Sequence, residues 1–104
     1  MNQLEILRES LGQCDEIILD ALLMRNRIVE DIMAYKEAND IPILQPEQEA
    51  KQKEWLERRM ADRRHKAEVE DVFGSITQNS KRIQARKLFN YNICLLYTSD
   101  AADE

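Results

Sequence analysis

Four polar residues interrupt apolar stripes of this sequence at spacings that would bring them to one place. Counted from Leu4, Leu11 and Ile18, the heptad calls for an apolar side chain at position 25, and Arg25 stands there. Lys36 lies eleven residues on. Eleven steps of about 100° return to nearly the same helix face, about 16 Å further along. Ser80 and Gln84 do the same to a second stripe, continuing Phe73 and Ile76 at helical spacing. A buried cation is costly unless something neutralises it, so two inward cations call either for internal acids or for a bound anion. Each residue alone also has an ordinary reading: Arg25 can snorkel, Ser80 can bond its own backbone, and Gln84 can lie at an interface. Together they point to an inward-facing anion pocket in a helical bundle.

Three segments must position these residues. From Gln3 to about Ala38 there is no Pro and one Gly, and apolar residues recur at alternating spacings of three and four. Leu4, Leu7, Leu11, Cys14, Ile18, Ala21, Ile28, Ile32 and Tyr35 form one seam. The pattern predicts a long amphipathic helix with a coiled-coil-like repeat. Two prolines, Pro42 and Pro46, make residues 39–46 an extended connector, because each biases its predecessor away from helix. Pro46 then suits the first position of a second helix, with Glu47 and Glu49 in its first turn. That helix is predicted to reach about Arg64, with Ala50, Leu56 and Met60 as its apolar stripe. A third is predicted from about Ala67 to Phe89, with Val69, Val72, Phe73, Ile76 and Ile83 inward. The basic run Arg63-Arg64-His65-Lys66 reads as a solvated turn between helices, and His65 is the only histidine.

The fold class is therefore all-α, a three-helix protomer with one very long N-terminal helix. Thirty-six residues make a rod of about 54 Å, whereas a compact domain of this size has a radius of gyration of about 13 Å. The long seam needs a cover that its own chain is too small to supply. A second copy is the economical one, which makes the expected assembly an intertwined homodimer.

Composition narrows the class of function. The chain has 104 residues, 34% of them charged, with two Gly, two Pro and a net charge of −5. So few turn formers argue against an all-β fold. Acidity argues against a nucleic-acid partner. No apolar run approaches the length of a membrane span and no secretory leader is apparent, so the expected address is cytoplasmic. Cys14 and Cys94 form neither a metal spacing nor a disulfide framework. Residues 1–90 are expected to form the domain and 91–104 a tail. Within that tail, residues 94–104 continue no helical stripe and resemble the in-frame translation of a sequencing adapter. Without those eleven residues the net charge is −2, so beyond arguing mildly against nucleic acid the acidity carries no functional message.

Over residues 4–88 the chain resembles the all-helical, type II chorismate mutases. The resemblance is carried by Leu4-Glu5-Ile6-Leu7-Arg8 with Asp15 one heptad on, and by Leu22-Leu23-Met24-Arg25-Asn26-Arg27 with Lys36 eleven after Arg25. The Ile41-Pro42-Ile43 connector, Pro46-Glu47-Gln48-Glu49, and Ser80 with Gln84 complete it. It implies a dimer with two active sites that convert chorismate to prephenate in aromatic amino-acid biosynthesis, with no cofactor and no metal. By the same resemblance Arg25 grips one substrate carboxylate, and Arg8 is delivered from the other protomer to the second. Lys36 and Gln84 donate to the ether oxygen, Glu49 accepts from the ring hydroxyl, and Ser80 assists at a carboxylate. Geometry agrees about Arg8, which stands about 25 Å along the helix from Arg25 and so belongs at a different site within one protomer.

Two positions depart from the family pattern. Gln45 stands where an Asp is usual and Gln48 where an Arg is usual. Gln45 can still accept from a hydroxyl, but the Gln48 amide is no substitute for a guanidinium fork at an anion. These departures motivate one alternative, a non-catalytic or regulatory dimer of the same fold; a related lyase of that fold, which removes pyruvate from isochorismate, is another.

Overall fold

The computed structural model describes residues 1–43 and 45–93, and all of their regular structure is helical. Helix α1 spans Gln3–Ala38, α2 spans Pro46–Arg59 and α3 spans Lys66–Ile93. The proposed adapter segment, 94–104, lies outside the described residues.

Local chemistry fixes the ends of α1. Asn2 caps it in an extended conformation, accepting from the Glu5 amide at 2.8 Å, while the Glu5 side chain accepts from the Asn2 amide at 3.0 Å. This reciprocal box satisfies two of the amides that a helix start leaves orphaned. At the other end Asp40 takes a left-handed φ of 55°, and the Ile41 amide reaches back to the Lys36 carbonyl at 2.9 Å. That six-to-one bond is a Schellman stop, which turns the chain sharply into the connector. Pro46 opens α2 as expected, but α2 ends at Arg59, five residues before the predicted Arg64. Positive φ at Asp62 and His65 breaks the path there. The charged pattern marks a turn at residues 63–66, where His65 takes its positive φ, but not an end of α2 as early as Arg59. Helix α3 begins one residue before the predicted Ala67 and runs four past Phe89.

Packing within the protomer is sparse. The buried apolar residues are Val29, Met33 and Leu56 alone among the described residues. Residues 1–21 are exposed without a break, and Leu4, Leu7, Leu11, Ile18, Ile28, Ile32 and Tyr35 of the seam all face outward. The face that α1 gives to α3 is Arg25, Val29, Met33 and Lys36, which continues the line of Leu4, Leu11 and Ile18. An undistorted helix drifts about 20° per heptad, so Ile28 and Tyr35 lie about 120° and about 140° around from Leu4, off the face that Val29 and Met33 form. Arg25, in line with Leu7 and Ile18, keeps to the early seam and lies on the intramolecular face. Val72 corrects the expected stripe of α3. It is 57% exposed, because α3 turns Ile76 and Ser80 to α1 and Phe73 and Thr77 to α2, which leaves Val72 on neither face. The molecule measures 56 × 31 × 22 Å, with a radius of gyration of 17.8 Å, well above the compact value. No described helix is long and apolar enough to cross a membrane.

Helices α2 and α3 run antiparallel and are tied mainly by polar side chains. Lys81 meets Glu49 at 2.6 Å, Thr77 donates to Gln52 at 2.8 Å, and Trp55 meets Phe73 edge-on at 5.8 Å. At the far end Lys66 meets Glu57 at 2.8 Å and Glu70 at 3.4 Å. The hydrogen bond from Lys66 holds the Glu57 carboxyl below its ordinary pKa of 4.5, with the lysine charge adding to the effect. A depressed carboxyl stabilises the fold above its ordinary range and ceases to do so as pH falls through the lowered value. Lys66→Met is therefore expected to melt slightly below the wild type at pH 7, with the gap closing below pH 4. Thermal melts across that range check it, and a constant gap would assign the effect of Lys66 to packing.

Candidate active site

Arg25 and Lys36 reach α3 from α1 positions eleven residues apart, while Ser80 and Gln84 receive them four residues apart. Spans of about 16 Å and 6 Å are thus bridged by side chains that converge. The Arg25 Nη1 donates to the Ser80 hydroxyl. Ser80 is buried at 7% exposure and donates in turn to the Ile76 carbonyl at 3.1 Å, which fixes its oxygen as an acceptor toward Arg25. The Lys36 ammonium donates to the Ile43 carbonyl of the connector at 2.8 Å and to Gln84 Oε1 at 3.5 Å. Arg25, Lys36 and Gln84 are half-buried.

The partners of both cations are neutral oxygens. Among the described residues neither Arg25 nor Lys36 has a carboxylate within salt-bridge reach, and Glu49 pairs with Lys81 instead. A guanidinium carries five N–H donors and an ammonium three, so each keeps donors beyond those its neighbours use. The cluster holds two uncompensated positive charges in fixed positions. Such an arrangement is suited to gripping an anion.

The other residues singled out from the sequence lie around this cluster. Glu49 is half-buried in the first turn of α2 and turns to Lys81. Gln45 is the half-buried N-cap of α2, its side chain makes no capping bond, and its carbonyl accepts from the Gln48 amide at 2.9 Å. Gln48 is exposed, and so is Arg8, which lies on the uncovered half of α1. The protomer therefore brings Arg25, Ser80, Lys36 and Gln84 together, sets Glu49 on the adjoining face of α3, and leaves Arg8 and Gln48 in solvent.

Several features of the site were not legible from local pattern. The Ile43 carbonyl is one, since a backbone acceptor leaves no mark in the sequence. Lys81 is another, one residue after Ser80 and about 100° around the helix from it. Glu37, next to Lys36, has one carboxylate oxygen buried with no hydrogen-bond partner among the described residues. Helices α2 and α3 also enclose a cleft of about 460 Å³ lined by Glu49, Gln52, Leu56, Phe73, Thr77 and Lys81.

Residues 7–85 match the family model for chorismate mutase type II, more than half of the chain and including all eight candidate positions. The chain belongs to the type II chorismate mutase family. Comparison with curated proteins and with solved structures finds no match. Membership of the chorismate mutase family agrees with the three-helix order and with a cluster built from donors rather than nucleophiles. Among the described residues no group of His, Cys, Asp or Glu is placed to hold a metal ion.

Proposed function

We propose that this chain is a chorismate mutase, isomerising chorismate to prephenate in a homodimer whose protomers exchange their N-terminal arms. The observation that carries this reading is the pair of half-buried cations, Arg25 and Lys36, held by neutral oxygens and open to an anion. Chorismate is a dianion that rearranges within itself: the ether C–O bond breaks as a C–C bond forms, and no group or proton leaves. Such a reaction needs a compact conformer and donors where negative charge grows, so orientation and preorganised electrostatics are the terms a protein can supply. Arg25, steadied by Ser80, grips one carboxylate. Lys36 and the amide of Gln84 donate to the ether oxygen. Glu49 accepts from the ring hydroxyl, with Gln45 as a neutral acceptor beside it, and Gln48 offers an amide where a cation would bind more strongly.

Support for the dimer comes from α1. Its first half buries nothing in the protomer, and an apolar seam of that length favours a second copy over water. Arg8 of the partner subunit then completes the site at the second carboxylate.

Purified protein is expected to consume chorismate, followed by loss of its absorbance, and to sediment as a dimer at micromolar concentration. Pyruvate released from isochorismate, with chorismate untouched, would replace this reading by the lyase. Turnover of neither would identify a non-catalytic dimer. A stable monomer would remove Arg8 from the site.

A further inference from the structure

The chemistry above uses Glu49 but leaves its ion pair with Lys81 without a role. Lys81 lies 2.6 Å from Glu49, joining α3 to the first turn of α2, with side-chain exposures of 38% and 43%. Three facts make this contact more than a surface pair. The first turn of α2 lacks a side-chain cap, since Gln45 makes no capping bond, so that turn has little of its own to hold it. The next tie along α2 is Thr77 to Gln52, so Lys81 is the last anchor before the connector. Lys81 also precedes Gln84 by three residues on the same helix, so the residue that holds Glu49 and the residue that meets Lys36 are neighbours on the surface of α3.

We propose that Lys81 is a positioning residue, which holds the Glu49 carboxylate and the first turn of α2 at the edge of the Arg25–Lys36 cluster so that Glu49 meets the substrate hydroxyl. This rests on the function proposed above. One Glu49 oxygen faces Lys81, and the other remains to accept from the ligand. Lys81 acts through Glu49 and touches no reacting atom. Its removal frees the carboxylate to rotate without changing the two cations that grip the anion.

A double-mutant cycle on the full chain tests this, with Lys81→Met, Glu49→Gln and the pair of substitutions, read by kcat, KM and chorismate affinity from calorimetry. Lys81→Met is expected to lower kcat/KM about fivefold, the upper range for a partly exposed pair. The loss should lie mainly in KM, because the hydroxyl is present in substrate and transition state alike. In the Glu49→Gln background the same change should cost less than about twofold, and Lys81→Arg should restore the wild-type value. Melting curves on each variant separate a loss of fold from a loss of positioning. Equal losses with and without Glu49 would overturn the assignment, as would an unimpaired Lys81→Met. A wild type that neither binds nor converts chorismate overturns the proposed function and this inference with it, whereas turnover with additive losses overturns the inference alone.

Discussion

Lys36→Ala is expected to lower kcat/KM by at least about a hundredfold, the scale of one lost donor to a developing oxyanion. The size of the effect follows from where the charge appears. The ether oxygen of chorismate is weakly charged in the substrate and gains negative charge as its bond to carbon breaks. A donor aimed at it is felt more strongly in the transition state, so its removal should depress kcat more than it raises KM. The Lys36 ammonium is held for that role by the Ile43 carbonyl at 2.8 Å and by Gln84 at 3.5 Å, with an N–H still available. The competing account makes Lys36 a helix-end lysine that stabilises the macrodipole by a few tenths of a kcal/mol. That account gives a slightly less stable and fully active mutant. Losing the bond to Ile43 would destabilise the connector by about 1 kcal/mol, so melting and kinetics should be measured together. Near-wild-type turnover by a folded Lys36→Ala protein would sink the role assigned to Lys36.

The residues that build the cluster were legible in the sequence because they violate a pattern. Arg25 stands where a heptad asks for an apolar residue, and Lys36, Ser80 and Gln84 share its faces at helical spacing. The span of α1 was equally legible, since an uninterrupted periodic run ends at a Pro-rich connector. Register between helices was not. Drift between the 3.5-residue seam and the 3.6-residue helix left Ile28 and Tyr35 outside the intramolecular face, which Val29 and Met33 form. Which acid Lys81 would meet depended on how α2 lies against α3, and that is set by long polar side chains with no local signature. The end of α2 was lost for a similar reason, because Asp62 and His65 adopt left-handed conformations without a glycine to announce them.

Position along α1 leads to the second large effect. Arg8 and Arg25 lie on one helix, separated by about 25 Å, and Arg8 stands in solvent within its own protomer. If both grip one dianion, each site draws Arg25 from one chain and Arg8 from the partner subunit. Arg8→Ala and Arg25→Ala homodimers should then each lose most of their activity, because every site lacks one cation. Mixed and allowed to exchange subunits, the two inactive proteins should recover. A heterodimer holds one site with both arginines and one with neither, and random exchange makes about half of all dimers heterodimeric, so about a quarter of the wild-type sites return. Were Arg8 merely a surface residue, its own substitution would be harmless and mixing would restore nothing beyond the average of the two samples. Were the protein monomeric, no exchange would occur and the inactive partner would stay inactive. Subunit exchange at a temperature just below melting, followed by the chorismate assay, distinguishes these cases, since only arginines drawn from opposite chains make two dead proteins into one live site.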